Sequence, residues 1–147
     1  MTVRKGSSKQ SKGKSRRRVK AMEEAKVGVF LSDCGGQIAK ILDFEALTNF
    51  VKGVPGVTLV ARGSEFWRGE GLKTIVDAVK TKKINRVVVA ESIPKISEVA
   101  IVKAVEEAGL NPYLVEVIDL KDHCAWPHKD TPQEAIEKAK AMLLAAI

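Results

Sequence analysis

The sequence is poor in several residue types that mark common classes of protein. Only two of the 147 residues are cysteine, and aromatic residues make up 5% of the chain. Two thiols cannot build the disulfide framework of a small secreted domain, so we expect both to be reduced. The sequence contains no run of about 18 uncharged apolar residues, so it predicts no membrane-spanning helix. The basic N-terminus lacks the apolar segment of a secretory signal. We therefore expect a cytoplasmic protein with no membrane partner.

Positive charge is concentrated at the N-terminus. The net charge is +7, and residues 1–26 hold ten Lys and Arg against two Glu, whereas residues 27–147 hold fifteen basic and sixteen acidic residues. The first segment has no apolar periodicity and cannot bury enough surface to offset the entropy lost on ordering. We predict a basic, intrinsically disordered tail over 1–26, ordered by a partner, and a folded domain over 27–147.

Within the predicted domain, strand-like and helix-like patterns alternate four times. Short apolar runs begin at Val27, Val57, Arg86 and Tyr113, and apolar residues at helical spacing follow each of them. This alternation predicts an α/β fold, a three-layer, flavodoxin-like or Rossmann-like sandwich with a four-stranded parallel sheet, while leaving the strand order open. Asp43 and Ser97 are predicted N-caps, and Gly53 and Gly109 are predicted helix ends. Thr131 with Glu134 predicts a capping box at the start of the last helix.

The loops that follow the four predicted strands are the place to search for a site. Ligands of open α/β sheets bind outside the carboxyl ends of the strands. Both cysteines, both tryptophans and both histidines lie in these loops, so we expect them to gather at one edge of the sheet, which we call the rim. The rim loops cover 33–37, 65–69, 91–94 and 122–128.

Five segments of the domain share one pattern with a known family: Val27–Phe30, Cys34–Ile38, Asn85–Ala90, Glu106–Leu114 and Cys124–His128. In order and with few gaps, they resemble the N-terminal domain of the heterodisulfide reductase A subunit. The resemblance runs from about Val27 to the C-terminus and implies an archaeal or anaerobic-bacterial source. In that family each rim loop contributes one cysteine, and the set can hold an iron–sulfur cluster.

The resemblance places two of the four cluster ligands in this chain. Cys34 matches the first and Cys124 the fourth, whereas the second falls on or beside Trp67 and the third on or beside Ser92. Because a four-iron cluster needs about four thiolates, the resemblance implies a domain that has kept its fold and lost its redox centre. We expect no cofactor. The alternatives are an iron–sulfur cluster, or zinc bound by Cys34, His123, Cys124 and His128.

Other rim residues have both structural and functional interpretations. Gly35 and Gly36 suit a tight turn after the first strand, or alternatively a phosphate cradle. Trp67 and Trp126 are expected to fill the rim, although exposed indoles can also stack on nucleic-acid bases.

The tail decides the predicted function. Cations interleaved with Gly and Ser are typical of arms that follow nucleic-acid backbones, although a merely solubilising extension has the same composition. We predict a non-catalytic RNA-binding protein, ribosomal or ribosome-associated, with ribosomal RNA and neighbouring ribosomal proteins as partners. The alternative, favoured by the cysteine pair, is a redox accessory module that joins heterodisulfide reductase-like subunits. The residues expected to contact RNA are Arg4, Lys5, Lys9, Lys12, Lys14, Arg16, Arg17, Arg18 and Lys20.

Overall fold

The computed structural model of the chain describes residues 23–92 and 94–147, so the nine tail cations expected to bind RNA lie outside the described residues. Within these ranges, four strands alternate with four helices, which confirms the predicted α/β class. No helix of the described part is long and apolar enough to cross a membrane. The strands are β1 (Val27–Ser32), β2 (Val57–Gly63), β3 (Arg86–Ala90) and β4 (Val115–Ile118). The helices are α1 (Phe44–Lys52), α2 (Gly69–Thr81), α3 (Pro94–Glu107) and α4 (Pro132–Ala146).

The four strands form one parallel sheet in the order β2-β1-β3-β4. This is the order of flavodoxin-like sheets. From β1 the chain passes to β2 on one side of it, and from β2 it crosses back to β3 on the other side of β1. The connections that follow β1 and β3 therefore run in opposite directions from the gap between these two strands. Ligands of such folds bind outside the carboxyl ends of the strands at this switch point.

The side chains of the two central strands alternate between two apolar clusters, one on each face of the sheet. Val29 and Val88 pack with α1 and α4 on one face. Phe30 and Val89 pack with α2 and α3 on the other. Because successive side chains of a strand point to opposite faces, a strand that is buried on both faces needs apolar residues at every position. The predicted three-layer architecture is confirmed.

Helix ends follow the short-range patterns in three cases, the first of which is Gly53, the C-cap that ends α1 as predicted. The Asp43 carboxylate accepts hydrogen bonds from the backbone N–H groups of Glu45 and Ala46 at 2.9 and 3.0 Å, which caps α1 as predicted. Beyond α3, Gly109 has φ +97° and donates to the Glu106 carbonyl, and the N–H of Leu110 donates to the Val105 carbonyl. These two bonds form the Schellman motif that a glycine at this position favours.

Three local predictions are wrong. Ser97 is not an N-cap, because Pro94 suits the first helical position and α3 begins there, which leaves Ser97 buried inside the helix. Thr131 occupies the N-cap position of α4 but makes no capping bond with its side chain, so the capping box with Glu134 is absent. The fourth strand begins at Val115 rather than Tyr113, since a 3-10 turn over Pro112–Leu114 precedes it.

The chain enters the domain at the amino ends of the strands, which we call the amino edge. Asn85, only 8% exposed, stands directly before β3. Its side-chain oxygen accepts from the Lys26 N–H at 2.7 Å, and its amide donates to the Glu24 carbonyl at 2.8 Å. The N–H of Asn85 in turn donates to the Lys26 carbonyl at 2.9 Å. These bonds hold residues 24–26 against the domain.

Candidate functional site

A pocket of about 420 Å³ opens at the rim beside the switch point. Three of the four rim loops contribute to it, together with Lys121 from a π-helical turn after β4 (Lys121–Ala125). A slightly larger cavity of about 440 Å³ lies beside the start of α1, but its walls hold no cysteine, histidine or tryptophan. The rim pocket is therefore the candidate site. Its lining residues are Cys34, Gly35, Gln37, Ser64, Glu65, Trp67, Arg68, Glu91, Ser92 and Lys121.

The loop after β1 forms a tight left-handed turn. Cys34, Gly35 and Gly36 have φ values of 55°, 69° and 83°, a region that glycine tolerates best. The three N–H groups of this turn donate to the Ser32 hydroxyl, the Ser64 carbonyl and the Asp33 carboxylate. Because these donors are already used inside the protein, the turn interpretation is confirmed and a phosphate cradle at this loop is not supported.

The thiol of Cys34 is half-buried in the wall of the pocket. Burial raises its pKa, and the nearby Glu91 carboxylate adds to this effect. Hydrogen bonds from the hydroxyls of Ser92 and Ser32, and the charge of Lys121, lower the pKa without overcoming the effect of burial. At neutral pH the group is therefore mainly a thiol, which is a weak nucleophile and a weak metal ligand compared with a thiolate.

Glu91 joins three of the loops that surround the pocket. Its side chain is 2% exposed. One carboxylate oxygen accepts from the Ser32 hydroxyl and the Ser92 N–H, both at 3.0 Å, and the other accepts from the Phe66 N–H at 2.7 Å. Burial raises the pKa of Glu91 despite these three bonds, and Glu65 adds repulsion. We assigned Glu91 no role from the sequence, although an acidic residue directly after the apolar run Val87–Ala90 is a signal for a functional group at the carboxyl end of a buried strand.

Trp67 and Ser92 stand at the pocket in the two positions where the resemblance calls for thiolates. Trp67 is half-buried and packs on the apolar cluster that contains Phe30 and Phe66. The guanidinium of Arg68 lies 4.6 Å from the centroid of the indole. The prediction that Trp67 fills the rim agrees with this packing, and neither an indole nor a serine hydroxyl supplies a thiolate.

The remaining predicted metal ligands do not join Cys34 in one ligand set. Cys124 is fully buried, and its thiol donates to the Ala135 carbonyl of α4 at 3.1 Å. His128 lies with its Nδ1 3.7 Å from a carboxylate oxygen of Glu134, and His123 is exposed. Across residues 23–92 and 94–147, no group of three or more His, Cys, Asp or Glu side chains is placed to hold a metal ion.

The π-helical turn explains why the fourth rim loop behaves differently from the other three. Its backbone bonds run from Ala125 to Leu120 and from Trp126 to Lys121, and they direct Cys124 into the core beneath α4. Burial raises the pKa of the Cys124 thiol. Trp126 is 53% exposed, with the Lys121 ammonium 4.9 Å from its ring centroid, so the expectation that Trp126 fills the rim is wrong.

The curated proteins whose sequences are similar to this chain are A subunits of heterodisulfide reductases. Over 128 residues, 86% of the chain, the sequence is 38% identical to the iron-sulfur A subunit 2 of CoB–CoM heterodisulfide reductase from Methanopyrus kandleri. Over 126 residues it is 36% identical to the A subunit of H2:CoB-CoM heterodisulfide,ferredoxin reductase from Methanothermobacter marburgensis. The chain is related to the N-terminal domain of the heterodisulfide reductase A subunit. It spans about a fifth of the length of these relatives, 19% in both cases. No protein-family model matches the chain.

The side chains around the pocket do not fit the iron–sulfur cluster that the family implies. The M. kandleri relative is an iron-sulfur subunit by name. This chain has only two cysteines, and one of them donates its thiol to the Ala135 carbonyl inside the core. A four-iron cluster bound by cysteine needs about four thiolates. The donor set therefore falls short by at least two ligands.

The predicted RNA-binding, ribosome-associated function is wrong, and so are ribosomal RNA and ribosomal proteins as partners. The relatives are named as subunits of heterodisulfide reductases, which are redox enzymes, and none of these names refers to RNA or the ribosome. The prediction failed because it took the charge of the tail as a mark of one class of partner. An excess of cations attracts any polyanionic surface and does not by itself select a class.

Proposed function

We propose that this chain is an accessory domain of a heterodisulfide reductase-like electron-transfer complex. It binds to protein subunits of that complex and holds no four-iron cluster of its own. The proposal is supported by the side chains at the rim. Trp67 and Ser92 line the pocket where thiolates would be needed, and Cys124 is buried in the core. The fold and the architecture of the rim are kept, while the ligands that redox chemistry would need are not.

The surface around the pocket suits contact with another protein. Trp126 is exposed beside the ammonium of Lys121, and Arg68 lies on the indole of Trp67. Tryptophan and arginine are the side chains most enriched at the energetic centres of protein interfaces. Beneath them, the three hydrogen bonds of Glu91 hold the loops in one arrangement, so little order must be gained on binding.

The tail over 1–26 belongs to the same proposal. It has too few apolar residues to bury a core of its own, and we propose that its residues before Glu24, which Asn85 does not hold, become ordered on a protein partner of the complex. The domain over 27–147 then supplies the specific contacts, while the tail increases the rate of association through its charge.

Two measurements on the full chain test the proposal. The first is anaerobic reconstitution with iron and sulfide, alongside the whole iron-sulfur A subunit of M. kandleri as the control. We expect less than about one iron per chain here and a filled cluster in the control. Close to four irons and four sulfides per chain would overturn the statement that the domain holds no cluster.

The second measurement is affinity capture of the tagged chain from its native host, followed by mass spectrometry. We expect enrichment of heterodisulfide reductase-like subunits over a tag-only control. Capture in which those subunits are no more abundant than in the control contradicts the proposed role in the complex.

A further inference from the structure

The rim pocket has the volume of a small-molecule site. Its volume of about 420 Å³ lies within the range of about 300–1,000 Å³ that ligand pockets occupy. It also opens beside the switch point of the sheet, where α/β folds of this kind bind their ligands. The side chains that line the pocket therefore decide which class of molecule it can hold.

The acidic side chains of the rim loops either have partners or lie outside the pocket. Glu91 lines the pocket but is 2% exposed, and both of its oxygens accept hydrogen bonds from the protein. Glu65 also lines it and forms a salt bridge with Arg68 at 2.9 Å. Asp33 and Asp122 belong to the rim loops without lining the pocket. No carboxylate that lines the pocket lacks a partner, so the pocket does not favour a cation.

Lys121 is the lining cation that has no carboxylate partner. Among the residues that the structure describes, none of the salt bridges includes Lys121. Its charge acts on the interior of the pocket. Burial raises the pKa of the Cys34 thiol, and the hydroxyl of Ser92 and the charge of Lys121 oppose this shift. A hydrogen-bond donor and a positive charge therefore meet at the thiol, and together they favour a negatively charged ligand.

Trp126 holds Lys121 in place at the pocket. In the π-helical turn, the N–H of Trp126 donates to the Lys121 carbonyl at 2.9 Å, so the two residues lie one turn apart. The Lys121 ammonium lies 4.9 Å from the centroid of the indole, whose face attracts a cation. Because the indole attracts the ammonium without neutralising its charge, Lys121 stays available to an anion.

We propose that the rim pocket binds a small organic anion beside the thiol of Cys34, with the ammonium of Lys121 as its anchor. Trp126 is the residue that positions this ammonium. The half-buried indole of Trp67 lines the same pocket and gives the carbon part of such a ligand an apolar wall. The anion is a ligand in addition to the protein partner of the proposed function, and neither proposal depends on the other.

The test measures how strongly Cys34 of the full chain prefers an anionic reagent to a neutral one. Iodoacetate and iodoacetamide have nearly the same size, and in both reactions the thiolate sulfur bonds to the reagent carbon while iodide leaves. Because both reagents react with the thiolate, the ratio of the two rates does not depend on how much thiolate is present. Mass spectrometry follows Cys34 separately from Cys124, which is fully buried. We expect K121M to lower the iodoacetate-to-iodoacetamide ratio about threefold relative to the wild type, and K121R to restore it.

Two further variants separate the roles of the charge and the ring. W126L is expected to lower the ratio about twofold, because Lys121 loses the indole that positions it. The control K129M removes an exposed lysine of the same segment that does not line the pocket, and it should change the ratio by less than about 1.3-fold. Equal effects of K121M and K129M overturn the role of Lys121, and an unchanged ratio in W126L overturns that of Trp126.

A second measurement uses the wild type alone, so it does not depend on the folding of any variant. At constant ionic strength, propanoate is expected to slow the alkylation of Cys34 by iodoacetamide, whereas propanamide, its neutral counterpart of the same size, is not. Equal protection by the two compounds, or protection by neither, overturns the anion site. The proposed function is tested separately by capture of subunits, so the failure of one proposal is distinguishable from the failure of the other.

Discussion

The hydroxyl of Ser32, the last residue of β1, donates to the carboxylate of Glu91, the first residue after β3, at 3.0 Å. This bond crosses the point where the chain connections of the sheet diverge. The same hydroxyl accepts from the Cys34 N–H at 3.1 Å. The carboxylate therefore sets the position of the loop that carries the thiol of the pocket, and Glu91 is a positioning residue for the rim.

Replacement of Glu91 by alanine is expected to destabilise the domain by about 2–4 kcal/mol, because the buried N–H group of Phe66 and its neighbours lose their acceptor. E91Q keeps one acceptor oxygen and should lose about half as much. The measurement is urea unfolding followed by circular dichroism. The control E65A removes a more exposed carboxylate and should change the free energy of unfolding by less than about 1 kcal/mol. Equal effects of E91A and E65A would show that the network of Glu91 contributes nothing to stability.

The raised pKa of Glu91 predicts how stability depends on pH. The folded state binds the Glu91 proton more tightly than the unfolded state does, since burial raises the pKa from its ordinary value of 4.5. The contribution of this group is fully present below the unfolded pKa and is lost as pH rises through the folded pKa.

We therefore expect the stability advantage of the wild type over E91Q to shrink as pH rises from about 4.5 toward neutrality. The thiols of Cys34 and Cys124 also have raised pKa values, but they start from 9.0 and do not titrate in this window. The measurement is the free energy of unfolding of both proteins at a series of pH values. An advantage that grows with pH contradicts the sign of the shift.

Restoring thiols at the pocket tests why the domain lacks a cluster. In W67C/S92C, three cysteines border the pocket, with Cys34 as the third, and a small thiol in the reconstitution buffer supplies the fourth thiolate that a four-iron cluster needs. We expect this variant to take up iron and sulfide under anaerobic reconstitution and to gain visible absorbance that the wild type lacks. W67A/S92A is the matched control, and removing Cys34 from the double-cysteine variant should abolish the uptake. No uptake by W67C/S92C would show that Trp67 and Ser92 are not the missing ligand positions.

Two truncations are expected to separate the tail from the segment that Asn85 binds. Deleting residues 1–22 should change the free energy of unfolding by less than about 0.5 kcal/mol. Deleting residues 1–26 should cost about 2 kcal/mol, because the buried side-chain amide of Asn85 then loses the partners it has in Glu24 and Lys26. Thermal and urea unfolding of the two proteins measures the difference. If both truncations have the same stability as the full chain, the hydrogen bonds of Asn85 do not hold the start of the domain.

Sequence reasoning succeeded where a feature depends on neighbours close along the chain. The apolar run Val87–Ala90, the cap at Asp43 and the stop at Gly109 each depend on residues close along the chain. The rule that parallel strands end at one edge then led to the rim, where Cys34 and Trp67 do meet. The resemblance to the heterodisulfide reductase A subunit was also correct, because it depends on the order of motifs along the chain.

The predictions for Cys124 and for the tail were wrong because the sequence alone fits more than one environment for each of them. Cys124 lies in a rim loop by sequence, but a π-helical turn directs it beneath α4, and only the packing of α4 shows this. The tail was interpreted by its charge, although charge does not distinguish an RNA from an acidic protein.

The sequence by itself determined the class of the fold, the number of strands, the rim loops and the shortage of thiolates, because these follow from local periodicity, chain order and composition. The tertiary structure alone decided the strand order, the burial of Cys124, the role of Glu91 and the place where the tail leaves the domain. Each of these depends on contacts between residues far apart along the chain. Ser32 and Glu91 are 59 positions apart, as are Lys26 and Asn85, and no local pattern records such pairs.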